Sequence, residues 1–368
     1  MLLEISREHL MDSLSKTVPL TERKSPLPIL SHVLVETTGS LVSVTGTDLQ
    51  VGLKITHECE VRSPGRLAVP GRKFFEICRE LQSPSVSIEL EESGRLKIEA
   101  GESKFKLSVM DGSDYPLWPS FEGVEMASMP AASLLLLIEK TVFASSTDES
   151  RISINSVLFE NAGEKTRLVA ADGHRLAMIT EEVGLALETR KLIPRRNLTD
   201  LRRILEGIKG EISVGFDEKN LVMTAESLCM TARLVDADYP NYSAKLPKQI
   251  DKVIKANRLN LIQTVRRAAT LTSERNKGVT LDFSPGRLEV VASHPDLGTA
   301  RDVASVEYEG EGFSTIANAA YLLEALNVTD TEYVRLEFSP ANTPIMIHPD
   351  GGKEYFSLVM PMKSKEND

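Results

Sequence analysis

The chain has 368 residues, 41% of them apolar and 26% charged, and a formal net charge of −10. That length exceeds one ordinary core and suits three domains of roughly 120 residues, with the composition of a soluble globular protein. The acidic total speaks against indiscriminate nucleic-acid binding, and the longest apolar run, Leu134–Ile138, falls far short of the roughly 18–20 residues that span a bilayer.

In chain order, Met1-Leu2-Leu3-Glu4-Ile5-Ser6-Arg7 lacks the basic flank and long apolar region of a signal peptide, so a cytoplasmic location is expected. Leu2–Ser6 reads as a strand, and Arg7–Lys16 as a helix with Leu10, Met11 and Leu14 on one face. Ile29–Glu36 and Leu41–Gly46 alternate as strands about a Thr37-Thr38-Gly39-Ser40 turn. Leu67–Pro70 leads into a helix over Gly71–Leu81, with Phe74, Phe75, Ile77, Cys78 and Leu81 buried. Val86–Leu90, Lys97–Ala100 and Phe105–Val109 then read as strands, with Glu92-Ser93-Gly94 as a hairpin turn. Further helices are expected near Ala131–Phe143, Arg195–Lys209, Asn257–Thr270 and Asn318–Leu326.

These elements are one unit written three times. Val69-Pro70-Gly71-Arg72-Lys73, Ile193-Pro194-Arg195-Arg196-Asn197 and Ile316-Ala317-Asn318-Ala319-Ala320 recur at spacings of 124 and 123, and Asp114-Tyr115-Pro116 returns after 124 as Asp238-Tyr239-Pro240. A repeat that long is a whole domain. The expected fold is therefore α+β: three similar domains over 1–122, 130–245 and 252–368, each with two helices against antiparallel sheets, joined by linkers near Glu122–Pro130 and Lys245–Lys252. Such an array, meeting a copy of itself, can close into a ring, which would make its function geometric rather than catalytic.

The sequence carries few marks of catalytic chemistry. No Gly-x-x-x-x-Gly-Lys-Ser/Thr or Gly-x-Gly-x-x-Gly is present, the six histidines show no metal-ligand spacing, and Cys59, Cys78 and Cys229 read as structural thiols, so neither cofactor nor metal is expected. Asp172-Gly173-His174-Arg175 is the one suggestive cluster. As chemistry it offers a carboxylate beside an imidazole, which would suit an enzyme using Asp172 and His174; as structure it is a turn after a strand. Thr47-Asp48-Leu49 in the first repeat favours the turn, and leaves open why only the second repeat carries Gly-His-Arg. The six expected helices sum to +6, leaving −16 on strands and loops, so a ring lined by helices would present a basic hole that tracks phosphates without reading bases.

Over essentially its whole length the chain resembles the bacterial DNA polymerase sliding clamps, the β subunit of the replicative DNA polymerase III. The segments that carry the likeness are Arg7-Glu8-His9-Leu10, Leu27-Pro28-Ile29-Leu30, Thr45-Gly46-Thr47-Asp48-Leu49, Arg72 to Arg79, Asp172-Gly173-His174-Arg175-Leu176-Ala177, Asp238-Tyr239-Pro240 and Val359-Met360-Pro361-Met362. The resemblance implies a clamp fold that forms a six-domain ring as a head-to-tail homodimer around duplex DNA, opened by a clamp loader, with no catalysis of its own. It also implies a pocket for short peptides of replicative and repair polymerases, formed by Ile154, Ala171, Gly173, His174, Arg175, Leu176, Pro240, Pro344, Leu358, Met360, Pro361 and Met362. The subunit contact it implies pairs Phe105 and Leu107 with Thr270 and Leu271. DNA-facing residues by the same likeness are Arg23, Lys24, Arg72, Lys73, Arg79, Arg151, Arg195, Arg196, Arg202, Arg203, Arg266 and Arg267. Ala171 stands where the family often has Thr, and the polar tail Lys363–Asp368 continues past the Met-Pro-Met motif.

Overall fold

The structure is a computed structural model that describes all residues except 24, 184–188, 248, 274–276, 340–342, 352–353 and 363–368. Lys24 and the polar tail thus lie outside the described residues.

The first repeat runs β1 (Leu2–Ser6), α1 (Arg7–Thr21), β2 (His32–Thr38), β3 (Leu41–Thr47), β4 (Val51–Glu58), β5 (Glu60–Ser63), β6 (Arg66–Pro70), α2 (Gly71–Glu80), β7 (Ser85–Leu90), β8 (Arg95–Ala100), β9 (Ser103–Ser108) and β10 (Met110–Asp111). The second runs β11 (Met126–Pro130), α3 (Ala131–Glu139), β12 (Ser156–Ala162), β13 (Lys165–Ala171), β14 (Arg175–Glu181), β15 (Thr189–Pro194), α4 (Arg195–Leu205), β16 (Glu211–Phe216), β17 (Asn220–Ala225) and β18 (Leu228–Arg233). The third runs β19 (Lys252–Asn257), α5 (Arg258–Ala268), β20 (Gly278–Ser284), β21 (Arg287–His294), β22 (Gly298–Glu307), β23 (Phe313–Asn318), α6 (Ala319–Asn327), β24 (Tyr333–Phe338), β25 (Ile345–Pro349) and β26 (Glu354–Val359). The short strands β5 and β10 aside, each repeat is strand, helix, three strands, strand, helix, three strands.

Local chemistry explains the helix ends. The Ser6 hydroxyl caps α1 by accepting from His9 N–H at 3.1 Å, and Asn257 and Asn318 cap α5 and α6 in the same way. α1 runs five residues beyond the expected Lys16, through Pro19, because Thr17, Val18, Leu20 and Thr21 continue its buried face; that burial outweighs the backbone bond the proline removes. α4 stops at Leu205 rather than Lys209, since Gly207 and Ile208 donate three residues back and tighten the last turn. The expected strand at Ile29 begins only at His32, after a 3-10 turn over Pro28–Ser31.

The chain divides into two compact units, and the division cuts through the second repeat. In the unit of residues 1–131 and 203–234, β18 pairs antiparallel with β4, so the sheet of the first repeat runs on into β18, β17, β16 and β11. A second sheet there, β5-β1-β7-β8-β9, leaves β9 at its edge. In the unit of residues 132–202 and 235–368, β14 pairs with β26 over six residue pairs from Arg175–Val359 to Thr180–Glu354, making one twelve-stranded sheet from parts of the second and third repeats. Each unit has its own core: Leu10, Leu14, Phe74 and Ile88 among others in the first, and Leu261, Val265, Phe283 and Leu336 in the second.

Candidate functional site

The site is built on the β14–β26 seam. Between β13 and β14, Asp172 Oδ1 accepts from the backbone N–H groups of His174 (2.8 Å) and Arg175 (3.0 Å), closing a tight turn with Gly173 at φ +95°. The first repeat makes the same turn, with Asp48 Oδ1 accepting from Gln50 and Val51 and Leu49 at φ +71°. Asp172 Oδ2 accepts from Arg175 Nε at 3.0 Å, so both of its oxygens serve the turn and its neighbour. Among the described contacts Asp172 takes only the backbone N–H of His174, and its other bonds go to Arg175.

Arg175 is 8% exposed. Its guanidinium lies 4.4 Å above the Tyr321 ring and 5.6 Å from the Phe143 ring, and it also donates to the Glu324 carboxylate. A buried guanidinium held by two carboxylates and an aromatic face is rigid, and it fixes the wall from which Gly173 and His174 project. The Met360 N–H donates to the His174 carbonyl at 2.8 Å, extending the β14–β26 ladder by one step, and the Met362 N–H donates to Ile316 at 2.8 Å. Two segments 186 residues apart, at 174 and 360, are joined this way.

Two adjoining hollows share Met360. One, of about 310 Å³, is lined by Arg151, Ile154, Ala171, Gly173, Arg175, Leu176, Tyr239, Pro240, Asn241, Tyr242, Lys245, Leu358 and Met360. Its floor is an apolar cluster of Leu158, Val169, Leu176, Tyr239, Phe356 and Leu358. The other, of about 400 Å³, is lined by His174, Asn318, Tyr321, Met360, Pro361 and Met362, with His174 stacked on Tyr321 at 6.3 Å. Together they form a groove that is apolar at the base and carries Arg151 and Lys245 at its margin. Such a groove can take extended apolar side chains. Among the described residues no three His, Cys, Asp or Glu side chains gather around a common point. Burial pushes the Cys78 thiol up to about 12, so that cysteine is a packing residue.

Eleven of the twelve expected pocket residues line one hollow or the other. Pro344 does not: β25 pairs Ile345 with Val359, which leaves Pro344 one strand beyond Met360 and on its far side from His174. Sequence reasoning missed Tyr239, Asn241, Tyr242, Lys245, Asn318 and Tyr321. Tyr239 was legible from the repeated Asp-Tyr-Pro, and Asn318 from its helix-start motif.

The basic residues separate. Arg72 and Lys73 are exposed and share Glu76, at 3.0 and 2.7 Å, and Arg79 and Arg267 are exposed beside Glu80 and Asp302. Arg196, Arg203 and Arg266 are exposed, Arg202 is half-buried, and Arg23 pairs with Asp48. Two of the twelve make other contacts. Arg195 turns inward: its Nη1 donates to the carbonyls of Val142 and Ser145, at 2.6 and 3.0 Å, and burial lowers its pKa from the ordinary arginine value. Arg151 stands on the groove wall, with Nη1 reaching the Asp172 carbonyl at 3.4 Å. The six helices carry net charges of 0, +1, −1, +3, +3 and −1, a total of +5 rather than +6, because Lys140 lies just past the end of α3.

Profiles of the DNA polymerase III beta subunit match the whole architecture: the N-terminal domain over residues 1–119, the central domain over 128–241 and the C-terminal domain over 244–363. The chain belongs to the DNA polymerase III β-subunit family. It is 33% identical over 364 residues to the beta sliding clamp of Pseudomonas putida KT2440, covering 98% of this chain and 99% of the relative, and 32% identical over 367 residues to that of Escherichia coli K12, with the same coverage. Among solved structures, a Pseudomonas aeruginosa sliding clamp bound to griselimycin superposes with a TM-score of 0.94 at 33% identity, over 99% of this chain and 100% of that one. Caulobacter crescentus pol III beta superposes at 0.93 with 27% identity and the same coverage. The protein is accordingly a DNA sliding clamp, a non-catalytic processivity factor, and the enzymatic alternative at Asp172 and His174 falls away. No helix among the described residues is long and apolar enough to cross a membrane.

Proposed function

We propose that the protein works as a head-to-tail homodimeric ring around duplex DNA, and that the groove on the β14–β26 seam captures peptides of polymerases and of the loader that opens the ring. Its place of work would be the cytoplasm, at replication forks on the nucleoid. The observation that carries the client reading is the groove itself, with an apolar floor, methionine walls and an Arg175 frame held by two carboxylates and an aromatic face. Methionine thioethers repack around different side chains, which suits one site with several clients. Holding a polymerase there replaces repeated encounter from solution by a local event at high effective concentration.

Two sheet edges support ring closure. β9 ends the five-stranded sheet with Phe105 and Leu107 half-buried and alternating with exposed residues. In the other unit β22 pairs with β21 along Gly298–Ser305 but meets β19 only at its end, through Val306 and Glu307. The half-buried Leu271 and the exposed Thr270 lie in the 3-10 turn that follows α5, which packs on β22. Open edges with apolar residues beside them are templates for pairing with another chain.

Griselimycin tests the groove directly. Calorimetric titration into the intact protein should show one site per chain, and Met362→Ala should weaken binding by about 1–3 kcal/mol, or roughly 5- to 150-fold. Unchanged affinity after both Met360 and Met362 are replaced by alanine, in a protein still dimeric by sedimentation, would place the client site elsewhere.

A further inference from the structure

Lys140 is only 7% exposed. It follows α3, and among the described residues the partners of its ammonium belong to the third repeat: it donates to the Val328 carbonyl, approaches Asp330 Oδ2 at 3.4 Å and lies 5.5 Å over the Tyr355 ring. Val328 is the C-cap of α6, a helix with no basic residue in its own last turn. A helix end leaves carbonyls without intrahelical partners and carries partial negative charge, and here a cation from another segment supplies what the helix lacks. The ammonium thus combines a hydrogen bond to a helix end, an ion pair and an aromatic face.

α6 is also the helix that holds the groove. Tyr321 stacks on His174 and lies under Arg175, and Glu324, one turn before Val328, accepts from Arg175. The segment after Lys140 is fixed in turn, since Arg195 donates to the carbonyls of Val142 and Ser145 and the Phe143 ring packs against Arg175. Second-repeat chain therefore grips α6 at two points, Arg175 on its side and Lys140 at its end.

We propose that Lys140 is a positioning residue for the client groove: by capping α6 from the second repeat it sets Tyr321 and Glu324 against Arg175 before any peptide arrives. The inference rests on the groove reading above and assigns that groove a determinant outside its walls. Burying a lysine costs desolvation that a core residue of equal size would avoid, so its use here is for geometry rather than for stability alone.

The test is griselimycin binding to the intact protein carrying Lys140→Met, beside Lys140→Arg and the Glu324→Gln background. Lys140→Met should bind about tenfold more weakly, and Lys140→Arg, which keeps charge and donors, should stay within about threefold of wild type. Because both residues act through α6, Lys140→Met should cost less than about twofold once Glu324 is glutamine. Wild-type affinity in a folded Lys140→Met protein overturns the inference, as does an undiminished tenfold loss in the Glu324→Gln background. Where Lys140→Met does not fold, Lys140→Gln takes its place under the same criteria. Failure of the wild-type protein to bind overturns the groove reading and this inference with it; binding by wild type with no loss in the variants overturns the inference alone.

Discussion

Gly173 and Leu49 occupy the same turn in two repeats and share left-handed backbone, at φ +95° and +71°, yet only one is a glycine. A side chain in that region costs roughly 1–2 kcal/mol for an ordinary L-residue. Gly173→Ala meets only the Arg151 guanidinium, at 3.8 Å, so the expected loss is conformational, about 1–2 kcal/mol, read as a lower thermal midpoint. Leu49→Gly should leave the midpoint unchanged or raise it, because Leu49 is 45% exposed and its packing is small against the strain relieved. A marked fall would show that Leu49 is held for contacts the turn alone does not explain. The same turn sets a pH dependence. Burial works to raise the Asp48 pKa, but the N–H groups of Val51 and Gln50 and the Arg23 guanidinium outweigh it and hold the carboxyl below its ordinary 3.8. A depressed folded-state pKa gives stability that is present above the unfolded value and lost as pH falls through the folded one. The gap in midpoint between wild type and Asp48→Asn should thus be full at neutral pH and close below 3.8.

The deciding element is β26 with the two residues that prolong it. Truncation after Val359 removes the main-chain bonds from Met360 to His174 and from Met362 to Ile316, together with both methionine walls. Ligand binding should disappear from calorimetry while the six residue pairs of the β14–β26 ladder keep the unit folded. On the proposed ring, sedimentation should still report a dimer, since the β9 and β22 edges are untouched. Loss of the dimer with the ligand would mean that the chain end serves assembly as well as capture.

For the whole molecule, ring closure predicts that Leu107→Arg, which puts a charge on the β9 edge, yields a monomer by sedimentation at concentrations where wild type is dimeric. Topological linkage predicts that protein loaded on a nicked circle survives salt and is released when the circle is cut; retention after linearisation would refute it. Reversing Arg203 and Arg266, both exposed, should weaken phosphate contact and flatten the salt dependence of DNA association without moving the thermal midpoint.

The threefold repeat, the α+β grammar and the apolar faces were legible in the sequence because they rest on local periodicity and on motifs that recur at fixed spacing. The Asp172 turn was legible for the same reason, since a side chain capping the next two backbone N–H groups needs no distant partner. Other features depended on strand pairing between residues far apart in the chain. The division of the second repeat between two units follows from β18 choosing β4 and β14 choosing β26, a choice that alternation of apolar residues does not encode. The inward turn of Arg195, the place of Arg151 on the groove and the burial of Lys140 against Val328 likewise follow from which backbone carbonyls and charges the packing brings within reach. A long cationic side chain reads alike on a solvated face and at a helix end; only the tertiary structure fixes which partners replace its water.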